Sequence, residues 1–404
     1  MAEKGLCRAR TGDVAPFPFQ VPVRNTTRGD QKTDLGGRYD LLICGASFAG
    51  LAVAAQVGGR DADVLMIDRY EVGERQTSAC AIPTAWLEAL DLLDSEAQRF
   101  DDMVVHTPHR SFRIPLPWQF STFDYPALCE LLWQRSGVRF ETAKVNHRKD
   151  GDEAGLITIE TDRGEMSSPL VVDALGWRRI LDPETAFTPP EAPLSRGLEV
   201  HPAGSSPDLE VWIDRRYVPA GYGWSFPAGD EVRVGVGSFD PGFHVREPTE
   251  DLAGDLGVPA EAWQGNWIPH RLREATADGV FFVGDSAGHC YPLTAEGIRP
   301  ALYFGLALGS LLDDVLAGSS SRERALAEYG RFSRSHMLRY DGLLAAQRTL
   351  PRIPPRLLPA AFAPLTSERL AARAFGRYLD LAPPGFVRAI TSAGSRETAL
   401  ARVA

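Results

Sequence analysis

The feature that most constrains the fold is a strand, a glycine turn and a helix near residue 40. Residues 39–44 contain a short apolar run of the kind found in buried parallel strands. A turn runs from Gly45 to Gly50, and a stretch of small and apolar residues follows it and is closed by Gly58 and Gly59. This order of elements predicts the opening of a dinucleotide-binding α/β fold.

Positions in this turn have separate physical roles in binding a dinucleotide. Gly45 makes the tight turn, Gly50 lets the helix pack closely on the strand, and the helix N-terminus offers N–H groups to a pyrophosphate. Ser47 stands where glycine is usual, so its side chain must turn aside or bind the phosphate. Asp68 ends the next predicted strand, where an acidic side chain binds a ribose. The predicted contacts are Gly45, Ala46, Ser47, Phe48, Ala49, Gly50, Asp68 and Arg69.

A second glycine turn lies far downstream, after the apolar run at 279–283. Asp285 at the end of this core strand can accept a ribityl hydroxyl, a contact that NAD does not need. The following helix points its N-terminal dipole at the flavin, where it stabilises the charge of the reduced form. Each segment alone has another explanation: Asp285 as a helix cap, and the first turn as part of some other doubly wound sheet. Together they predict FAD, contacted here by Gly284, Asp285, Gly288, Gly297 and Ile298.

Three aromatic residues alternate in a predicted strand of the middle segment. Tyr222, Trp224 and Phe226 present their rings on one face, which suits an apolar chain or a flat ring. The alternative is that this face is part of the core. Gly235 and Gly237 lie in the next predicted strand with no helix behind them, so they are not a nicotinamide site.

These segments together resemble the geranylgeranyl reductase family, within the superfamily of FAD-dependent aromatic hydroxylases, lycopene cyclases and halogenases. The resemblance covers residues 39–316 and includes a P-x-x-Y-x-W-x-F-P-x(7)-G signature from Pro219 to Gly235. Residues 171–177 also resemble the strand that closes the superfamily's FAD domain. The resemblance implies hydride reduction of carbon–carbon double bonds in an isoprenoid or similar apolar substrate. It implies a substrate cavity lined by Tyr222, Trp224, Phe226, Pro227 and His289.

Cys80 is the candidate catalytic residue. The family places a cysteine near the flavin in a Cys-Gly-Gly context, whereas here Ala81, Ile82 and Pro83 follow Cys80. Hydride addition to one alkene carbon requires a proton on the other, and a thiol with a pKa of about 8.5 can donate one at neutral pH. The alternative is a buried cysteine that acts as a small apolar residue.

Two other functions fit the same sequence. A flavin-dependent monooxygenase hydroxylates or epoxidises its substrate with oxygen on a similar fold. A non-catalytic prenyl-binding protein would keep the apolar cavity without redox chemistry. Halogenation is disfavoured because residues 263–269 have the wrong spacing for the halogenase W-x-W-x-I-P motif. No independent NAD(P)H-binding unit is visible, so the electrons are expected from transiently bound NAD(P)H or from a separate reductase or ferredoxin.

Composition bounds the partners and the compartment. The formal net charge of -10 argues against a nucleic acid partner. Five scattered cysteines without a C-x-x-C pair predict neither disulfides nor a zinc site, and no other metal site is expected. Without an apolar signal or a membrane-spanning run, a cytoplasmic protein is expected. Residues 322–388 carry twelve arginines against five carboxylates, which fits peripheral contact with an anionic membrane or a helical lid.

The predicted architecture is α/β, with an FAD-binding fold of the glutathione-reductase type interleaved with a mixed β-sheet substrate domain. Strands are predicted at 103–107, 112–116 and 156–161. The predicted divisions are a disordered arm at 1–37, an FAD-binding domain at 38–100, 126–178 and 270–320, a substrate domain at 101–125 and 179–269, and a helical C-terminal region at 321–404.

Overall fold

The structure is a computed structural model that describes residues 33–76, 78–149, 155–189 and 192–391. Its strands are β1 (Gly37–Arg38), β2 (Leu41–Cys44), β3 (Val64–Asp68), β4 (Ala81–Pro83), β5 (Glu96–His106), β6 (Ser111–Phe123), β7 (Arg139–Thr142), β8 (Val145–Arg148), β9 (Ile157–Thr161), β10 (Gly164–Ser168), β11 (Leu170–Asp173), β12 (Leu194–Val200), β13 (Glu210–Trp212), β14 (Gly221–Ala228), β15 (Glu231–Ser238), β16 (Gln264–Pro269), β17 (Thr276–Ala277) and β18 (Val280–Phe282). Its α-helices are α1 (Phe48–Val57), α2 (Thr84–Ala89), α3 (Tyr125–Ser136), α4 (Arg246–Asp255), α5 (Ile298–Leu316), α6 (Arg322–Ser335), α7 (Met337–Thr349), α8 (Leu358–Phe362), α9 (Glu368–Leu379) and α10 (Gly385–Thr391).

The two predicted glycine turns lie at one edge of a six-stranded sheet. The strand order is β17-β18-β11-β2-β3-β7, and every pair from β18 to β7 is parallel. β11 pairs with both β2 and β18, so only one strand separates the strands that lead into the two turns. The apolar runs that predicted buried strands are buried along β2, β11 and β18.

Two buried helices, α1 and α5, pack against each other through small residues. A β-carbon on Gly305 would lie 2.7 Å from the carbonyl oxygen of Ala49, so no side chain larger than hydrogen fits there. The helix that follows the second turn is thereby fixed on the helix that follows the first.

An eight-stranded sheet forms the other large layer, in the order β16-β12-β15-β14-β13-β5-β6-β4. One end of this sheet curls. The Thr122 hydroxyl of β6 donates to the Pro227 carbonyl of β14 at 2.7 Å, and the Arg233 guanidinium of β15 donates to the Ala79 carbonyl at 3.0 Å. The curl brings the segment around residue 80 to the end of the β14–β15 hairpin.

A small sheet in the order β1-β10-β9-β8 holds the start of the described chain. Leu35 is 4% exposed and its N–H donates to the Arg163 carbonyl at 2.7 Å, while Gly37 pairs with Met166. The prediction of a disordered arm at 1–37 is therefore wrong for residues 33–37, and the rest of that arm lies outside the described residues.

The predicted domain boundaries need one further correction. β4 and the first half of β5 belong to the eight-stranded sheet, although the sequence analysis assigned 38–100 to the FAD-binding domain. The strands predicted at 103–107, 112–116 and 156–161 are present within β5, β6 and β9, with shifted ends. The predicted helical C-terminal region is helical through α10, and residues 392–404 of it lie outside the described part.

The apolar face of α9 packs on the eight-stranded sheet. Ala371 and Phe375 contact a cluster that contains Val105, Phe112 and Ile114. Much of the apolar content of the basic C-terminal region is therefore used inside the protein. Within the described residues, no helix combines the length and the hydropathy needed to cross a bilayer.

Candidate functional site

The first glycine turn admits no larger residue at its ends. Gly45 has φ +113°, and a β-carbon there would lie 2.2 Å from the Ala174 carbonyl oxygen. A β-carbon on Gly50 would lie 1.9 Å from the carbonyl oxygen of Gly45. Both glycines are needed because the turn is pressed between β11 and α1.

The helix N-terminus behind this turn is open. Ser47 is the N-cap residue but makes no side-chain cap, and the first turn of α1 contains no acidic residue. The Ser47 hydroxyl lies 3.4 Å from the Tyr125 hydroxyl, so it turns aside from the helix N–H groups. Phe48 is 6% exposed and packs edge-on against Tyr125 and Phe123. The N–H groups at this end are therefore available to an anion.

Asp68 ends β3 beside the first turn, as predicted. One carboxylate oxygen accepts from the Ala46 N–H at 2.8 Å and the other from the Tyr70 N–H at 3.1 Å. Burial raises the pKa of this carboxyl, and the two hydrogen bonds lower it by a smaller amount. Each oxygen keeps a second lone pair for a further donor. Arg69 is exposed, with its guanidinium 4.8 Å from the centre of the Tyr70 ring.

The second turn touches the first. A β-carbon on Gly284 would lie 2.9 Å from the Cβ of Ala49, and Gly284 itself has φ +67°. In the described part of the chain, the Asp285 carboxylate has no hydrogen-bond partner, although burial raises its pKa to about 6. Asp285 is partly exposed, so a ligand can reach this unpaired acceptor and supply the donor.

Asp173 at the end of β11 ties the two turns together. Its carboxylate accepts from the Ser286 hydroxyl at 2.6 Å and from the N–H groups of Leu175 and Leu181, each at 3.0 Å. The residue is fully buried, and this burial raises the pKa of its carboxyl. Sequence reasoning noted the segment but not this role.

A second open helix N-terminus faces Asp285. Gly297 is the N-cap of α5, without a side-chain cap and without an acidic residue in the first turn, and Ile298 is 5% exposed. A β-carbon on Gly297 would lie 3.8 Å from an Asp285 carboxylate oxygen. Gly288 differs, because a β-carbon there would lie 1.8 Å from the Arg271 carbonyl oxygen. It is needed for loop packing.

The three predicted aromatic residues form one half-buried face of β14, which we call the aromatic wall. Tyr222, Trp224 and Phe226 alternate with fully buried residues. The ring centres of Tyr222 and Trp224 lie 5.9 Å apart. The Tyr222 hydroxyl donates to the Thr294 carbonyl, just before α5. This end of the wall is thereby joined to the second turn's loop.

The glycine that ends the signature makes room for the indole. Gly235 lies directly opposite Trp224 in the β14–β15 pair, and a β-carbon on it would lie 2.3 Å from Cζ2 of that ring. The Trp224 Nε1–H donates to Glu199 on β12 at 3.1 Å. The spacing of the signature thus encodes a cross-strand contact that holds the indole flat on the sheet.

Cys80 lies at the other end of the wall. It is 0% exposed and has φ +56°, which is uncommon for a residue with a side chain. Its Sγ lies 3.1 Å from the Ser78 carbonyl oxygen, to which the thiol donates. Burial raises its pKa well above the ordinary value, while nearby Arg233 lowers it less. The thiol is therefore neutral, and its catalytic role stays a prediction.

His289 takes a packing position in place of the predicted substrate contact. It is 1% exposed and stacks on Phe304 at 3.7 Å between ring centres. Its Nε2 lies 3.0 Å from the Ser333 hydroxyl, and its Nδ1 accepts from the Gly284 N–H at 3.3 Å. Burial lowers its pKa well below the ordinary value, which suits a neutral acceptor. Pro227 is buried at the Cys80 end of the wall.

The C-terminal region holds the loop before α5 through what we call the C-terminal clasp. Arg299 is 0% exposed and forms two hydrogen bonds to Glu296, at 2.6 and 2.8 Å. It also donates to the Leu379 carbonyl at 2.7 Å and to the Ala382 carbonyl at 3.3 Å. The Tyr378 hydroxyl donates to Glu296. Sequence reasoning missed this clasp because its partners lie about 80 residues apart.

Similar proteins are found by sequence and by structure, although no family model matches. The chain is 23% identical over 337 residues to a digeranylgeranylglycerophospholipid reductase of Methanosphaera stadtmanae, covering 74% of this chain and 83% of that protein. It is 25% identical over 307 residues to the enzyme of that name from Sulfolobus acidocaldarius, covering 66% and 67%. A geranylgeranyl bacteriochlorophyll reductase-like structure from Thermoplasma acidophilum matches with a TM-score of 0.71 and 15% identity, covering 90% and 96%. A probable FAD-dependent monooxygenase from Pseudomonas aeruginosa matches with a TM-score of 0.61 and 19% identity, covering 78% and 96%.

The fold is shared with solved structures that include a geranylgeranyl bacteriochlorophyll reductase-like protein and a probable FAD-dependent monooxygenase. The sequence is similar over most of its length to proteins named digeranylgeranylglycerophospholipid reductase. The predicted α/β fold and the predicted resemblance to the geranylgeranyl reductases are confirmed.

Proposed function

We propose that this protein uses FAD to reduce carbon–carbon double bonds of an isoprenoid or similarly apolar substrate. The observation that carries the proposal is the aromatic wall. One end of it is bonded to the loop of the second glycine turn through Tyr222 and Thr294. Its other end lies beside Cys80, where Arg233 reaches the Ala79 carbonyl. The names of the sequence relatives support a prenyl-lipid substrate.

The residues present fit FAD. The open N-terminus of α1 would hold the pyrophosphate, and the remaining lone pairs of Asp68 would accept from the adenosine ribose. Asp285 would accept a ribityl hydroxyl, which supplies the missing donor. The uncapped start of α5 would face the flavin ring. In its reduced form FAD supplies a hydride.

The chain's own residues would position the substrate and supply a proton. The aromatic wall offers flat apolar area that excludes water from the reacting double bond. Cys80 holds its proton because burial disfavours the thiolate. It would give that proton to the second alkene carbon.

The electron source and the membrane contact complete the proposal. The open N-termini of α1 and α5 are both assigned to FAD, and Gly235 and Gly237 lie inside β15 and not in a turn before a helix. Electrons would therefore come from NAD(P)H bound transiently or from a separate reductase or ferredoxin.

The C-terminal region exposes Leu338 by 85% and Leu357 by 51% among its arginines, which suits peripheral contact with an anionic membrane.

Anaerobic turnover tests the proposed reaction. Protein loaded with FAD and reduced by dithionite is mixed with geranylgeranyl lipids or geranylgeraniol without oxygen, and products are analysed by mass spectrometry. We expect each reduced double bond to gain a hydride and a proton, so that the product mass rises by the mass of H₂. A strict requirement for oxygen, with insertion of an oxygen atom, would instead establish the monooxygenase that the Pseudomonas aeruginosa likeness leaves open.

The colour of the purified protein distinguishes a non-catalytic prenyl-binding protein from both kinds of enzyme. Protein that purifies colourless and takes up no FAD in equilibrium dialysis contradicts the proposal. Protein that is yellow and bleaches on reduction contradicts the binding-protein alternative. NADPH and reduced ferredoxin are then compared as reductants by the rate of bleaching.

A further inference from the structure

A chain of buried polar side chains runs from the surface to the substrate face of the eight-stranded sheet. Glu199 on β12 lies directly opposite Gly235, which lies opposite Trp224, so all three share the face of the aromatic wall. Glu199 is 4% exposed. One of its carboxylate oxygens accepts from Trp224 at 3.1 Å, and the other lies 3.0 Å from Nε2 of His201.

The chain continues outward to solvent. The His201 side chain is 5% exposed, and its Nδ1 lies 3.9 Å from the carboxylate of Glu231. The Glu231 side chain is 34% exposed and also pairs with Arg233 at 2.7 Å. Each ring nitrogen of His201 thus faces one carboxylate, an inner one and an outer one. An imidazole between two carboxylates can take a proton on one nitrogen and release one from the other.

The inner end of this chain lies near Cys80. Arg233 donates to the carbonyl of Ala79, the residue that precedes Cys80. Three charged groups of this cluster act on the thiol: Arg233 lowers its pKa, and Glu199 and Glu231 raise it, as Cys129 outside the cluster also does. The thiol itself has no path to bulk solvent by exposure, since Cys80 is 0% exposed.

We propose that Glu231, His201 and Glu199 form a proton relay that resupplies the Cys80 thiol from solvent. This inference rests on the proposed reductase function. In each turnover the Cys80 S–H bond breaks as a C–H bond forms on the alkene carbon that did not receive hydride. A proton then passes from solvent at Glu231 through one bridging water to Nδ1 of His201, since these groups lie 3.9 Å apart. It continues from Nε2 directly to Glu199 and through a second bridging water to the thiolate. The net change is one solvent proton delivered to the product.

Exchange of the Cys80 thiol proton tests the relay without substrate or turnover. The S–H infrared band of Cys80 is identified by its loss in Cys80→Ala, and its conversion to S–D is followed after transfer into D₂O. Glu199→Gln keeps an acceptor for Trp224 but cannot pass a proton. We expect it to slow exchange by about 100-fold, the low end for positioned proton transfer.

A matched pair on the opposite face of the same sheet supplies the control. His106 Nε2 lies 2.6 Å from the Glu210 carboxylate, and Glu210 lies opposite Ser225, which alternates with the wall residues. Glu210→Gln is expected to leave the exchange rate unchanged. Equal exchange rates in wild type and Glu199→Gln would overturn the relay.

Two further measurements keep the test decisive. If Glu199→Gln fails to give a native melting curve, Glu231→Gln replaces it, because the Glu231 side chain is 34% exposed and is therefore easier to change without unfolding the protein. Slow exchange in Glu231→Gln supports the relay, and wild-type exchange overturns it. If no alkene is reduced but exchange still depends on Glu199, the relay stands and the reductase function fails. If alkenes are reduced and exchange is unaffected, the relay alone fails.

Discussion

The six-stranded sheet with its two glycine turns, which we call the FAD half, and the eight-stranded sheet with the aromatic wall, which we call the substrate half, depend on opposite kinds of contact. In the FAD half, the decisive contacts are between backbone groups that approach where side chains are missing, as at Gly50 against the Gly45 carbonyl. In the substrate half, the decisive contacts are between side chains on neighbouring strands, such as Trp224 with Glu199. The first kind of site tolerates no added atom, whereas the second tolerates changes of size but not loss of a polar partner.

The largest effect is expected for Gly50→Ala, which tests whether the FAD half is limited by space. The added methyl group would lie 1.9 Å from the Gly45 carbonyl oxygen. We expect a loss of about 3 kcal/mol in the free energy of unfolding, together with loss of bound FAD. Urea unfolding and the flavin absorbance measure both. Gly342→Ala in α7 is the control, because its β-carbon meets nothing within 4 Å. An FAD-bound Gly50→Ala protein of wild-type stability would show that the turn is looser than described.

Asp285→Asn tests how much the fold is destabilised by a carboxylate that has no hydrogen-bond donor in the absence of FAD. Burial raises its pKa from 3.8 to about 6. A raised carboxyl pKa means that the charged form destabilises the fold, so the cost is absent below pH 4 and complete above pH 6. Without FAD, the variant is expected to be more stable than wild type at pH 8 by about 3 kcal/mol, and equally stable at pH 3.

Its affinity for FAD is expected to fall in the same variant, because an amide accepts a hydroxyl less strongly than a carboxylate. Thermal melting of the FAD-free protein at the two pH values and titration with FAD measure these effects. Asp278→Asn, at an exposed position, is the control. Equal stability of the variant and wild type at pH 8 would contradict the assigned burial cost.

Gly235→Ala sharpens the comparison from the substrate side. The added methyl group would lie 2.3 Å from the Trp224 ring, and the indole can move where a backbone carbonyl cannot. We expect about 1–3 kcal/mol of destabilisation, retained FAD, altered tryptophan fluorescence and a raised KM for the apolar substrate. Gly254→Ala in α4, where nothing lies within 4 Å, is the control. Loss of FAD in Gly235→Ala would show that the two halves are not independent.

The smallest effect on stability is expected for Leu338→Ser. This side chain is 85% exposed, so the free energy of unfolding should change by less than about 0.5 kcal/mol. Co-sedimentation with anionic vesicles should weaken by about tenfold if the leucine enters the lipid interface. Leu93→Ser, at a leucine that is 39% exposed outside the C-terminal region, is the control. Unchanged vesicle binding in Leu338→Ser would remove this surface from the proposal.

The strand, glycine turn and helix of the six-stranded sheet could be predicted because their determinants are local. The turns at Gly45 and Gly284 follow directly on apolar strands, and glycine itself is the signal. The signature from Pro219 to Gly235 likewise gave the aromatic wall. The contact of the Asp285 carboxylate with a ribityl hydroxyl stays a prediction.

Other parts could not be predicted because their partners are distant in the chain. His289 was assigned to the substrate, but Phe304 and Ser333 bury it. Glu199 carries no motif, and its place beside Trp224 follows only from the register of three strands. The predicted domain boundary at residue 100 was wrong because β4 and the first half of β5 pair within the eight-stranded sheet. No local sequence pattern indicates this pairing.

The C-terminal clasp sets the order in which a newly made chain can become functional. Arg299 needs the carbonyl groups of Leu379 and Ala382, which are synthesised about 80 residues after it. Until then the Arg299 guanidinium lacks two of its hydrogen-bond acceptors, and the loop before α5 lacks its contact with the C-terminal region. We therefore expect FAD to bind only after residue 382 has left the ribosome, and chains shortened before that residue to be recovered without bound flavin.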